Sequence, residues 1–227
     1  MASNNGLTIP LARKLFSCQR LTPAQVALYC HNLAEYTQSQ FNVFSCLFPL
    51  EETLEAATES EKRFREGRPK GFLDGIPISI KCNIAVKGKP LNASSCILNC
   101  TMGYESVVAK KLRENGAILI GLTNMDEFGM GSLGNNCNIP TGSTRTTRFT
   151  TNPVPYMMTN NPACSKRSTE ELIHDITSLT FPQYVLNQNH SHIRDQFLSP
   201  GGSSSGSAVS VALGSSLASI GTDTGGS

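Results

Sequence analysis

The chain has 227 residues, a formal net charge of +2, 39% hydrophobic residues and 16% charged residues. That balance is ordinary for a globular protein with a sizeable core, and it carries no electrostatic signature for nucleic acid or an anionic membrane. No apolar run is long enough to span a bilayer, so no membrane partner is expected.

The first residues, "MASNNGLTIPLARKLFSCQRL", lack an apolar signal core and carry Arg13, Lys14 and Arg20 without an acid. They read either as an organellar leader or as a first helix. In "LTPAQVALYCHNLAEYTQ", Thr22 stands as an N-cap and Pro23 at the first helical position. Val26, Tyr29, Cys30, Leu33 and Tyr36 recur there at helical spacing, which predicts an amphipathic helix. "LEETLEAATESEKRFREG" predicts a second helix ending at Gly67. "GFLDGIPISIKCNIAV" then shifts period: Asp74-Gly75 makes a turn, and Ile76, Ile78 and Ile80 alternate along a short strand. "SVVAKKLRENGAILIGLTN" predicts a helix stopping near Asn115-Gly116, then a strand over Ala117 to Leu122. Alternating helix and strand point to an α/β layer fold.

Residues 141–199 are rich in Thr, Asn and Pro and read as an exposed insertion. Within them only "STEELIHDI" has a helical look, with Ser168 and Glu171 as a capping box. The last stretch, "SPGGSSSGSAVSVALGSSLASIGTDTGGS", sets two glycine-serine clusters around Ala208, Val209, Val211, Ala212, Leu213, Leu217, Ala218 and Ile220. A flexible linker has no use for so many apolar residues, so the spacing predicts a buried small-residue helix and a strand between glycine turns.

None of the eight cysteines forms a CxxC pair, and no Cys/His group has zinc-ligand spacing, so no metal is expected. They read as reduced thiols, which leaves the sequons at Asn92, Asn99 and Asn189 unused.

Three glycine-containing motifs compete for a function. "GMGSLG" (Gly129, Gly131, Gly134) matches a dinucleotide loop, but no strand directly precedes it and no acid lies near position 150. "GSSSG" (Gly202 to Gly206) matches a nucleophile elbow on Ser204, but Pro200 stands where a strand should end and no histidine follows His192. A Walker loop needs GK[ST], which does not occur. Amide hydrolysis, in contrast, needs a nucleophile, a proton acceptor and donors for an oxyanion. Ser227, at the end of "TDTGGS", is a candidate nucleophile, and the glycines before it let the N–H groups of Thr224, Gly225, Gly226 and Ser227 converge on one oxygen. An ordinary glycine turn is the competing reading. Lys81, ending "IPISIK", is a candidate base if burial and nearby positive charge lower its pKa, and a snorkelling surface lysine otherwise.

"GGSSSGSAVSVALGSSLASIGTDTGGS" closely resembles the amidase signature, "DGIPISIKCN" its lysine motif, and "GAILIGLTNMDEFGMGS" the segment that joins them. Order and spacing match over about residues 20–140 and 200–227. The resemblance implies an amidase-signature α/β fold: a mixed β-sheet core flanked by helices, incomplete in this chain, with residues 1–227 as the N-terminal half of one amidase domain. It implies a Ser–cis-Ser–Lys triad, with Lys81 as base, Ser203 as bridging serine next to a cis peptide, Ser227 as acyl-ester nucleophile, and Thr224, Gly225 and Gly226 as oxyanion donors. Within the family, "NMDEFGMGS" and the N-terminal helices are most similar to the glutamine-hydrolysing subunits of glutamyl-tRNA(Gln) amidotransferases, and the long insertion is similar to that of mitochondrial members. That implies glutamine as substrate, B- and C-type subunits as partners, and Glu-tRNA(Gln) reached through the complex. It also implies no cofactor on the chain itself, ATP and magnesium used by the complex, and a mitochondrial location, with the cytoplasm as the alternative. A stand-alone amidase on a small or fatty amide, or a non-catalytic truncated fragment, are the other readings. Two departures stand out. Cys82 replaces the usual Asp after the lysine, losing a carboxylate that would orient the loop, and Ser205 replaces a glycine, adding a Cβ where a tight turn would need none.

Overall fold

The computed structural model describes residues 6–98, 100–137, 168–181 and 199–225. The N-terminal segment is a packed helix, α1 (Ile9–Ser17), capped by the Thr8 hydroxyl and burying Ala12, Leu15 and Phe16. Helix α2 (Pro23–Phe41) starts at the Thr22/Gln25 capping box and closes on Asn42 in a left-handed conformation. Helix α3 (Leu50–Arg65) has Glu51 and Glu52 in its first turn and Lys62, Arg63 and Arg65 in its last, the order the helix dipole favours. It ends just short of Gly67, whose φ is +67°.

Between and after these lie strands β1 (Phe44–Leu47), β2 (Pro77–Lys81), the short hairpin β3 (Pro90–Leu91) and β4 (Cys100–Thr101), helix α4 (Val107–Glu114) and strand β5 (Ile118–Thr123). A 3₁₀ turn over Glu127–Gly129 follows β5, and helix α5 (Thr169–Thr177), helix α6 (Ser205–Leu213) and strand β6 (Ala218–Ile220) complete the described elements. The main sheet is mixed and four-stranded in the order β1-β5-β2-β6. β5 and β6 both run parallel to β2, while β1 is antiparallel to β5. Gly121 on β5 is fixed by close approach, because a Cβ there would stand 2.8 Å from the Cys46 carbonyl oxygen.

β2 is buried along its whole length. Its alternation does not separate core from solvent: Ile78 and Ile80 serve one apolar face, and Ser79 and Lys81 serve a polar one packed under α6. Ser79 Oγ meets Ser210 Oγ at 3.0 Å, Ser216 Oγ at 3.1 Å and Ser219 Oγ at 2.7 Å. The small side chains of α6 let helix and strand approach this closely. Gly206 packs the same helix against the chain just before β1 and just after β5, since a Cβ there would lie 2.6 Å from both the Val43 and Asn124 carbonyl oxygens.

Asp74 locks the turn before β2. It is fully buried, and its carboxylate takes Arg63 Nε at 2.9 Å, Arg63 Nη2 at 2.6 Å, the Lys70 N–H at 2.7 Å and the Ser60 hydroxyl at 2.7 Å. Burial alone would raise its pKa, but these partners outweigh burial and hold it below the usual carboxylate value.

Of the segment read as an exposed insertion, residues 168–181 are described, and they dock on α2. The Ser168/Glu171 capping box is formed, Leu172 and Ile176 are buried, and the Phe181 ring packs against Tyr29 and Tyr36. The rest of 141–199 up to residue 198 lies outside the described residues. No helix among the described residues is long and apolar enough to cross a membrane.

Candidate active site

Lys81 is the last residue of β2, paired in register with Thr123 of β5, and its side chain is completely buried. Its amine reaches the N-terminal end of α6. Lys81 Nζ lies 2.6 Å from Ser203 Oγ, 2.8 Å from Ser204 Oγ and 3.1 Å from the Thr222 carbonyl oxygen. Burial depresses the Lys81 pKa below the ordinary lysine value, against the opposing pull of the Cys82 thiolate, where that thiol is ionised, and of the Asp126 and Asp223 carboxylates. A buried amine shifted this way exchanges a proton with a neighbouring hydroxyl far more readily than a solvated ammonium does.

The Gly202–Ser203 peptide is cis. Ser203 is fully buried, and its carbonyl accepts the Asp126 N–H at 3.0 Å. Ser204 is the N-cap of α6, yet its side chain makes no cap bond. An N-cap serine ordinarily uses its oxygen on the first free N–H groups of its own helix. Here the hydroxyl turns away to Lys81 and donates to the Thr222 carbonyl at 3.1 Å. Thr222, just past β6, is held in turn by Asn83, whose amide donates to its hydroxyl at 3.0 Å.

The structure therefore brings together Lys81, Ser203 and the start of the segment that carries the expected oxyanion donors. Thr224 and Gly225 are exposed on that segment, while Gly226 and the expected nucleophile Ser227 lie outside the described residues. Ser204, which the sequence offers only as an elbow nucleophile, is a direct partner of the lysine. Asn83, Asp126 and Thr222 also join the site; each lies inside one of the family-like motifs, but the sequence assigns none of them a role. For Ser204 the run of three consecutive serines is the available signal. Among the described residues, no group of three or more His, Cys, Asp or Glu side chains is placed to hold a metal.

Both departures from the family pattern have a structural account. Ser205 does not sit in a turn that needs glycine. It is the first residue of α6 and is absent from the positive-φ positions, so its Cβ causes no backbone strain, and the glycine that close approach requires is Gly206. At Cys82 the backbone orients the loop: its N–H donates to the Thr123 carbonyl at 3.0 Å and its own carbonyl accepts the Ala93 N–H at 3.3 Å. The thiol meets Ser94 Oγ at 3.4 Å, and burial pushes its pKa up.

A family model described as Amidase matches residues 24–168 and 187–227. The chain is 32% identical over 223 residues to the A-type subunit of a mitochondrial glutamyl-tRNA(Gln) amidotransferase from Ixodes scapularis, covering 97% of this chain and 35% of that protein. It is 36% identical over 190 residues to the corresponding A-type subunit of Chlorobaculum tepidum, covering 82% of this chain and 29% of that one. It thus spans about a third of the length of the curated relatives it matches. Among solved structures, a crystal structure of an amidase aligns with a TM-score of 0.67 at 27% identity, over 97% of this chain and 39% of that chain. The A-type subunit of glutamyl-tRNA(Gln) amidotransferase from Thermotoga maritima aligns with a TM-score of 0.55 at 23% identity over 97% of this chain and 35% of that one, a likeness of fold.

Proposed function

The chain belongs to the amidase family, and on that premise we propose that it carries the hydrolytic centre of a glutamine-dependent amidotransferase. The observation that supports this most is the solvent-excluded Lys81 amine, 2.6 Å from Ser203 Oγ, on a framework whose curated relatives are amidotransferase subunits.

In this reading Lys81 is neutral before the reaction. Ser203 passes a proton to it while taking one from Ser227, and Ser227 Oγ attacks the side-chain amide carbon of glutamine. The N–H groups of Thr224, Gly225 and Gly226 receive the oxyanion. Collapse breaks the C–N bond, the nitrogen takes back the relayed proton, and ammonia leaves a γ-glutamyl ester on Ser227. Water, deprotonated along the same relay, then releases glutamate and restores the hydroxyl. The ammonia goes to B- and C-type partner subunits, where ATP and magnesium serve the activation of Glu-tRNA(Gln) and Gln-tRNA(Gln) is formed. The chain itself uses no cofactor. A mitochondrial location accompanies this reading, because several of the relatives are mitochondrial proteins.

Ammonia release from glutamine by the complete protein tests the proposal, with Ser227→Ala beside it. Wild-type release abolished in the variant supports it, and an unchanged rate removes Ser227 from the mechanism. A second reading, a stand-alone amidase on a small or fatty amide, draws on the TM-score of 0.67 to an amidase, higher than the 0.55 to the Thermotoga maritima protein. Co-purification with two further amidotransferase subunits favours the first reading, and full activity on simple amides without them favours the second.

A further inference from the structure

Two acids are in the buried set of the described residues, Asp74 and Asp126. Asp74 is accounted for by Arg63. Asp126 follows β5, on the chain that leaves Thr123 beside Lys81. Its carboxylate points to the other side of the site: Oδ2 accepts the Gly134 N–H at 3.0 Å and Oδ1 the Asn136 N–H at 2.9 Å. It thereby holds the loop 131–136 in place. Above the carboxylate lies the peptide that carries Ser203. A Cβ on Gly202 would stand 2.0 Å from Asp126 Oδ2, and one on Gly131 would stand 2.5 Å from its Cγ, so two glycines are packed onto one carboxylate. The Asp126 N–H donates to the Ser203 carbonyl at 3.0 Å, and one step away the Gly206 N–H donates to the Asn124 carbonyl at 3.1 Å. Residues 124–126 are thus pinned to residues 203–206 at both ends.

We infer that Asp126 is a positioning residue for Ser203: its carboxylate and N–H together seat the Gly202–Ser203 peptide so that the hydroxyl meets the Lys81 amine. This rests on the amidase reading of the site. The contact is steric below, where Gly202 lies on the carboxylate, and directional above, where the Ser203 carbonyl is held. Either loss lets the hydroxyl drift from the amine, and displacements of about 1 Å at a reacting centre cost on the order of 100-fold in rate. Asp126 also acts on the amine through space. The charged and titratable groups around Lys81 are Cys82 on its own strand end, Asp126 after β5 and Asp223 after β6, and a negative charge at Asp126 favours the protonated amine.

The test uses the complete protein and a fluorophosphonate probe, which phosphonylates an activated serine without any requirement for glutamine. Its rate is followed against pH in wild type, Lys81→Ala, Asp126→Asn and Gly202→Ala. Asp126→Asn is nearly isosteric but presents an amide N–H to one of two backbone N–H groups. Its labelling rate is expected to fall about 10- to 100-fold. The acid limb of its profile is expected to move to lower pH, because the amine loses a neighbouring negative charge and deprotonates more easily. A residue that only braced the fold would reduce the amount of active protein and leave the limb where it is. Gly202→Ala, which keeps the carboxylate and displaces the peptide, is expected to lose labelling to a similar degree, and it answers the question if Asp126→Asn does not fold. Wild-type labelling with an unmoved limb in Asp126→Asn, or wild-type rates in Gly202→Ala, overturns the inference alone. Wild-type protein that labels no faster than Lys81→Ala overturns the amidase reading and the inference with it.

Discussion

Ser204 Oγ stands 2.8 Å from Lys81 Nζ, almost as near as Ser203 Oγ at 2.6 Å. Ser204 donates its proton to the Thr222 carbonyl at 3.1 Å, so toward the amine it acts as an acceptor. On the proposed mechanism Ser203 relays the proton, and Ser204 anchors the amine that receives it. Ser203→Ala is therefore expected to cut amide hydrolysis at least about 100-fold, in the range of losing a positioned proton carrier. Ser204→Ala is expected to cost about tenfold, the loss of one hydrogen bond of about 1.5 kcal/mol to a buried group. Steady-state ammonia release by both variants checks the order. Equal losses, or a larger loss in Ser204→Ala, would reverse the assignment of roles.

Substitution at Cys82 tests the electrostatics of the same amine. Burial raises the thiol pKa, so at neutral pH the group next to Lys81 carries no charge. Cys82→Asp introduces an anion there, which favours the protonated amine. Activity that requires neutral Lys81 then rises only at higher pH, and the acid limb of the rate profile is expected to move up. Cys82→Ser, neutral and of similar size, is expected to leave the limb in place. The pH dependence of ammonia release separates the two variants, and a limb common to both would mean that the charge at position 82 does not reach the amine.

Much of this architecture is legible in the sequence because its signals are local. Thr22-Pro23, Ser168 with Glu171, and Asn115-Gly116 are caps and stops whose effect reaches only a few residues, and the helices begin and end there. The isoleucines of β2 mark a strand for the same reason. What they do not mark is the second buried face. Ser79 and Lys81 are buried because their partners, Ser210, Ser216, Ser203 and Ser204, arrive from more than a hundred residues later in the chain. Ser204 shows the limit most clearly: at an N-cap its local preference is to close its own helix, and only the distant amine and the Thr222 carbonyl turn it away. Asp126 lies inside the quoted NMDEFGMGS stretch, but its role is not legible there, because it depends on two backbone N–H groups and two glycines, and none of these has a side-chain signature.

Asp74 makes stability depend on acid in a defined direction. Its folded-state pKa is held below the ordinary value, so the stabilisation is complete above the unfolded pKa of about 3.9 and is lost as pH falls through the folded value. Asp74→Asn removes the anion that Arg63 pairs with, leaving the half-buried guanidinium only the more distant Glu59, and is expected to destabilise at neutral pH by up to about 3 kcal/mol. The difference in stability between wild type and variant is expected to shrink on acidification below about pH 4. Denaturant unfolding at neutral and acid pH measures that gap, and a gap independent of pH would show that the charge on Asp74 is not what the pair contributes.

The hydroxyl cluster behind the lysine gives a last expectation, and it separates hydrogen bonding from packing. Ser79 Oγ is shared among Ser210, Ser216 and Ser219, and all of them except Ser219 are fully buried. Ser79→Ala removes the hub and leaves hydroxyls with fewer partners in a space closed to water, which costs about 1–3 kcal/mol. Because Ser210 and Ser216 also bond each other, at 3.0 Å, the cost should fall short of three separate losses. Replacing Ser79, Ser210 and Ser216 together by alanine removes the unsatisfied groups along with their partners. That variant is expected to recover part of the loss despite having fewer hydrogen bonds, since paired deletion of polar partners is close to neutral. If unfolding measurements instead give a triple variant less stable than Ser79→Ala by the sum of two further deletions, the serines contribute as independent bonds. The interface of β2 with α6 would then be held by each of them separately and not by their mutual satisfaction.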